Sequence, residues 1–121
     1  MGWDAWESYV NRALGLEATL ASGSQAHDPG DGVDRRHHTE TDYAIMADAK
    51  YTERKSFSVS AKLMGQYVQR AAEFGKRFVL PVRLVDSGTK EVHDYIVVPL
   101  QDYVALLEVY REVERVTNLG S

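Results

Sequence analysis

The sequence predicts an α/β protein, and three features carry that prediction. Apolar residues recur at helical spacing in three separate stretches, 3–14, 61–74 and 102–115. Short apolar and β-branched runs lie between them, bounded by Gly, Ser, Asp and Pro. The resulting order is helix, three strands, helix, two strands, helix, which predicts a small sandwich of helices on a sheet. At 121 residues the chain fits one domain over 1–121, long enough to bury a core without metal or disulfide staples.

Trp3, Trp6, Val10, Ala13 and Leu14 share one helical face, and Gly15 is a plausible stop. Ala18 to Ala21 is a strand candidate closed by Ser22-Gly23-Ser24, and 25–30 reads as loop. A short strand is expected over 31–36 and a polar hairpin tip over 35–40. Tyr43 to Tyr51 then reads as a strand whose first half is apolar, followed by a charged turn over 52–55. Ser60 is a good N-cap for the second helix, whose stripe is Leu63, Met64, Tyr67, Val68 and Ala71, with Gly75 placed for its C-cap. A strand over 78–85 follows, and Pro81 within it points to an edge position or a bulge. After a turn at 86–89, a strand returns over 93–98. The last helix has a broad apolar face, including Tyr103 and Tyr110, wide enough to cover the sheet and also touch a partner subunit. Trp3 and Trp6 are expected in the core or a dimer contact.

Composition excludes several classes. Without cysteine there is no disulfide framework and no thiolate metal site, as suits a reducing cytoplasm. No apolar run approaches a membrane span, and the first residues lack a signal peptide's basic start and apolar run. A cytoplasmic location is expected. The net charge of -4 argues against a generally basic nucleic-acid coat. Yet residues 35–77 hold nine Lys/Arg against five acids, a basic segment in an otherwise acidic chain.

The chemistry centres on Asp48-Ala49-Lys50. Side chains two apart on a strand share a face, so Asp48 and Lys50 should stand side by side with the Ala49 carbonyl between them. Upstream, Asp31 sits in the turn-like Pro29-Gly30-Asp31-Gly32. Two carboxylates and a carbonyl suit a hard divalent ion, which activates water, while a nearby lysine orients that water and offsets charge at phosphorus. A lone D-x-K is weak, but here it ends an apolar half-strand and has an upstream Gly-Asp. The adjacent pair His37-His38 would point to opposite faces of a strand and reads as a polar tip rather than a metal site. Arg35 and Arg36 are candidates for gripping a phosphate backbone, with Lys55, Lys62 and Arg70 as weaker ones.

Pro29-Gly30-Asp31 followed by Asp48-Ala49-Lys50 resembles the signature of the PD-(D/E)XK nuclease superfamily. Glu7 in the first helix, Ser22-Gly23-Ser24, Lys50-Tyr51-Thr52 before Lys55-Ser56-Phe57-Ser58, and Gln66 and Gln69 make the chain look like the small phage and archaeal-type Holliday junction resolvases. The resemblance spans about residues 3–98, and its motif is short and degenerate. It implies a restriction-endonuclease-like core, αβββαβ, with a central mixed sheet flanked by helices. It implies a metal-dependent DNA endonuclease, a homodimer cutting four-way DNA junctions, with Mg²⁺ as cofactor and Mn²⁺ as substitute. A phage-encoded enzyme would work in the host cytoplasm. In its terms Glu7, Asp31, Asp48 and the Ala49 carbonyl hold the metal, Lys50 positions the attacking water, and Ser22 and Ser24 lie near the scissile phosphate. The gap from Asp31 to Asp48 is long for the pattern, so Asp34 competes with Asp31, which is preferred because it follows Pro-Gly. Glu17 likewise competes with Glu7, preferred because it sits in the helix. Specificity would come from branched DNA shape, as no base-reading motif is present.

Overall fold

The strand Arg77–Val85 (β5) is apolar on both faces because it is covered on both. In the computed structural model, which describes residues 2–18, 32–36 and 40–119, β5 is the centre of a six-stranded mixed sheet. Phe78, Leu80, Val82 and Leu84 face one way with Val33 and Met46. Val79 faces the other way with Ala47 and Ala49. The first set packs under Ala61–Glu73 (α2), through Met64, Tyr67 and Ala71. The second packs under Trp3–Leu14 (α1), through Trp6 and Val10.

The remaining strands are short. Glu17–Ala18 (β1) pairs antiparallel with Gly32–Val33 (β2), and β2 pairs antiparallel with Ile45–Ala47 (β3). Both β3 and Lys50–Thr52 (β4) run parallel to β5, and Val92–Val97 (β6) pairs antiparallel with its other side. The expected strand over Tyr43 to Tyr51 is thus two pieces, interrupted at Asp48 and Ala49. Register is unbroken across the interruption: Ala47 lies opposite Val79 and Lys50 opposite Val82. Alternation survives with it. Ile45, Ala47, Ala49 and Tyr51 pack toward α1, while Met46 packs toward α2.

Local sequence explains the boundaries. The Ser60 hydroxyl accepts the Leu63 N–H and caps α2. Gly15 and Gly75 follow α1 and α2 with φ of +69°, which favours glycine. Phe74 is the C-cap of α2, one residue before the expected Gly75. The turn after β5 is held by Asp86, whose Oδ1 accepts the N–H groups of Gly88 and Thr89. At Gly32 an added Cβ would lie 1.9 Å from Asn11 Oδ1, so any larger residue there requires the Asn11 side chain to move.

Two expectations are corrected. Pro81 does not lie at an edge: β5 is paired on both sides, and Pro81 sits opposite Ile96. Its missing N–H is tolerated because the ladder to β3 and β4 lapses between Val79 and Val82, beside Asp48 and Ala49. The last helix, Leu100–Leu119 (α3), is longer than expected and does not cover the sheet, since none of its residues is buried. Tyr103 and Tyr110 are exposed, as is Trp3, whereas Trp6 is core. The first turn of α3 is tied down: the Tyr43 hydroxyl donates to the Asp102 carbonyl and Arg77 donates to the Asp102 carboxylate at 2.8 Å.

Leu80 is fully buried under α2, so Leu80→Ala should cost about 2–5 kcal/mol in urea unfolding, whereas Ser60→Ala, which removes only the α2 cap, should cost about 1 kcal/mol.

Candidate functional site

The interruption between β3 and β4 is where chemistry-bearing side chains meet. By the alternation carried across it, Asp48 and Lys50 both face α2. Their contact is direct, with Lys50 Nζ 2.9 Å from Asp48 Oδ2. Asp48 is buried and its N–H donates to the Val79 carbonyl, which pins the backbone at the break. Lys50 keeps 30% side-chain exposure, so the pair reaches solvent through the lysine. Burial works against the lysine's charge, but the hydrogen bond and charge of Asp48 outweigh it, and its pKa is pushed up to about 12.

Glu7 approaches from α1. It is close enough to sense Asp48 and Lys50, and its carboxyl is raised above 4.5, by burial first and then by the negative charges of Asp4 and Asp48, with Lys50 opposing. Glu17, the rival acid, sits in β1 and pairs instead with Arg35 at 3.4 Å.

Asp34 is engaged elsewhere. Its N–H donates to the Ile45 carbonyl, and its carboxylate accepts from Arg36 Nη2 at 2.7 Å and from Arg36 Nε. That hydrogen bonding lowers the Asp34 pKa. Opposite Ile45, Asp34 is three residues and one sheet face away from Asp48. Asp31, Ser22, Ser24, His37 and His38 lie outside the described residues. The last pair of β2 and β3 sets Gly32 opposite Ala47, the residue before Asp48.

Among the described residues no three of His, Cys, Asp and Glu gather into a cation cage. Asp48 and Glu7 provide two hard oxygen donors, a set that fits Mg²⁺ or Mn²⁺ rather than a soft metal. Lys55 and Lys62 are exposed, Lys55 beside Arg54 and His93 at the far end of β5 and Lys62 on the first turn of α2. Gln66 and Gln69 line a groove along α2 with Tyr67 and Arg70.

Two features escaped the sequence. Tyr67, read as part of an apolar stripe, lies beside the pair, its ring centroid 5.8 Å from Lys50 Nζ. On the α1 face, buried Arg83 makes a two-pronged ion pair with Asp94 and stacks 4.5 Å over the Trp6 ring. An isolated charge in an apolar strand is the only sequence signal for Arg83.

Glu7 supplies a pH test. A carboxyl whose folded pKa lies above its unfolded value holds more protons when folded, so it costs stability as pH rises above 4.5. Glu7→Gln should therefore raise the urea midpoint at neutral pH and leave it unchanged below pH 4.5.

No protein-family model matches the sequence, and no curated protein matches it. Among solved structures the chain is similar to Hjc, a Holliday junction resolvase from the archaeal hyperthermophile Archaeoglobus fulgidus. The match has a TM-score of 0.53 and 18% identity, and covers 80% of this chain and 75% of that one. At that identity the likeness is one of fold: a restriction-endonuclease-like α/β architecture, with a mixed sheet between helices, shared with an archaeal resolvase.

Proposed function

We propose that this chain is a metal-dependent endonuclease that hydrolyses DNA phosphodiesters, with four-way junctions as its substrate and a homodimer as its working form. The observation that carries the reading is the Asp48–Lys50 pair at a strand interruption, with Glu7 of α1 within electrostatic range, on a resolvase-like fold. Asp48, Glu7, the Ala49 carbonyl and Asp31 would hold Mg²⁺, with Mn²⁺ as substitute. The bound ion would lower the pKa of water and offset charge at phosphorus.

The chain's own groups account for the rest. The Lys50 ammonium, charged at every working pH, orients the nucleophile and neutralises developing negative charge on the phosphate. Asp48 holds that ammonium in place. Lys55 and Lys62, with Arg35 and Arg36, would contact phosphates and position the duplex arms without reading sequence. Ser22 and Ser24 would border the scissile phosphate.

The dimer reading rests on α3. A helix with no buried residue and an apolar surface is unstable alone in water. Leu106, Val109, Val113 and Val116 recur in steps of three and four, a seam of the kind that pairs helices, and all are exposed. Val92, Tyr95 and Ile96 of β6 are exposed as well.

Cleavage of a labelled four-way junction, against matched linear duplex and single strands, tests the activity. Symmetric, Mg²⁺-dependent cuts in the junction are expected, abolished by EDTA and by Asp48→Ala. Lys50→Ala should abolish cutting while leaving junction affinity within about threefold, well under one hydrogen bond to a charged group. Cutting of linear DNA would keep the nuclease and reject the resolvase, and tight binding with no cutting under any divalent ion would reduce the chain to a binding module.

Sedimentation tests the dimer. Val109→Asp with Val113→Asp should convert a dimer to a monomer, and an unchanged mass would place the interface elsewhere.

A further inference from the structure

Lys50 has three N–H donors on a flexible four-carbon stem. Asp48 alone fixes one direction of that ammonium. The residue that completes its surroundings comes from α2: the Tyr67 ring centroid lies 5.8 Å from Lys50 Nζ. The ring is itself fixed, stacked on Phe78 with centroids 4.6 Å apart and planes 2° from parallel. Phe78 is a fully buried member of β5, so the tyrosine is anchored to the centre of the sheet. The phenol tip thereby lies against the pair, while the neighbouring side chains Gln66, Gln69 and Arg70 line the groove that leads to it.

A phenol hydroxyl has one proton to donate and lone pairs to accept. Beside an ammonium and a carboxylate already 2.9 Å apart, the arrangement that would satisfy all three groups has Tyr67 accept from Lys50 and donate to Asp48. A tyrosine used only for packing would present its hydroxyl to solvent. Here the ring lies beside two charges, where the strand next to β5 is interrupted.

We propose that Tyr67 is a positioning residue for the cleavage reaction, its hydroxyl fixing the Lys50 ammonium and the Asp48 carboxylate from the α2 side. The inference rests on the nuclease reading above and goes beyond it, because the role belongs to a helix residue outside the Asp-x-Lys strand. Tyr67 does not touch the reacting atoms; it acts through Lys50 and Asp48.

The test is Tyr67→Phe, which keeps the ring and its stack on Phe78 and deletes the hydroxyl. Single-turnover junction cleavage in Mg²⁺ should slow by about 10–100-fold, the range for a residue that orients others at a metal site. Junction affinity measured in EDTA and the thermal midpoint should match wild type. Nitrogen-15 NMR of the lysine side chains, on the protein without DNA or metal, should show faster ammonium proton exchange at Lys50 in the variant. Tyr67→Leu, which also removes the stack, should lose thermal stability in addition. A Tyr67→Phe protein that cuts at the wild-type rate, or whose Lys50 ammonium exchanges as in wild type, overturns the inference and leaves Tyr67 a packing residue. A wild-type protein that cuts no DNA overturns instead the nuclease reading on which the role depends.

Discussion

The structure depends on one constraint: two short strand pieces hold a single register along β5. From Ile45 opposite Arg77 to Thr52 opposite Leu84, the offset never changes. A slip of one residue would turn every side chain of the second piece over. Ala49 and Tyr51 would leave the α1 core, and Lys50 would be driven into it. What keeps register across the break is the buried face on either side, with Met46, Phe78, Leu80 and Val82 under α2 and Ala47, Ala49 and Val79 under α1. The Asp48 N–H to Val79 carbonyl bond ties the break to β5 at its first residue. The pair at the break is therefore positioned by the core rather than by its own attraction.

That attraction is a poor reason for the pair to exist. A half-buried lysine and a buried aspartate both lose hydration, and apolar residues of similar size commonly stabilise a core as well or better. Another pair with a buried member, Arg83 and Asp94, has different surroundings. Arg83 and Asp94 are bound by two parallel hydrogen bonds, with the guanidinium stacked over Trp6 and Tyr9, an arrangement that fills the α1 face. Asp48 and Lys50 instead sit at an interruption, with the lysine open to solvent and a second acid, Glu7, brought near although it raises the cost. Stability explains the Arg83–Asp94 pair. It does not explain the Asp48–Lys50 pair, and that excess of carboxylate beside a fixed ammonium is what reactivity at a phosphate would require.

Much of this was legible in the sequence because two periods dominate it. Alternation placed Asp48 and Lys50 on one face, and helical spacing found all three helices. The element order survived, with the strand over 43–51 split into β3 and β4. What failed has specific physical causes. Pro81 was read for an edge or a bulge because a proline cannot donate to a ladder; the edge is excluded, and the neighbouring ladder lapses beside it, a pairing between distant residues that no local pattern reveals. Tyr67 fell on the apolar stripe with Leu63 and Met64, and periodicity counts its ring while ignoring its hydroxyl. Asp31 was preferred over Asp34 in sequence only because it follows Pro-Gly. Register separates Asp34 from Asp48 by a sheet face, and Arg36 occupies its carboxylate. The breadth of the α3 face was visible, but its destination was not, because a stripe suited to a sheet is equally suited to a second helix.

Charge and the unpartnered helix bear on the same question. The chain is acidic overall, yet its basic excess lies over residues 35–77, which include β4, α2 and the pair itself. A local basic excess of this kind can attract a polyanion without requiring a basic protein. The acids of α3 (Asp102, Glu108, Glu112 and Glu114) belong to the acidic remainder, and an apolar stripe runs between them. Nucleic acid is thus a poor occupant for α3. A protein surface of matching apolar character is a good one, and a second copy carries such a surface by construction. If two copies meet there, the two interruptions are held in fixed relation by the symmetry of the pair. A rigid four-armed substrate with two equivalent strands is the kind of ligand that such an arrangement can measure by shape.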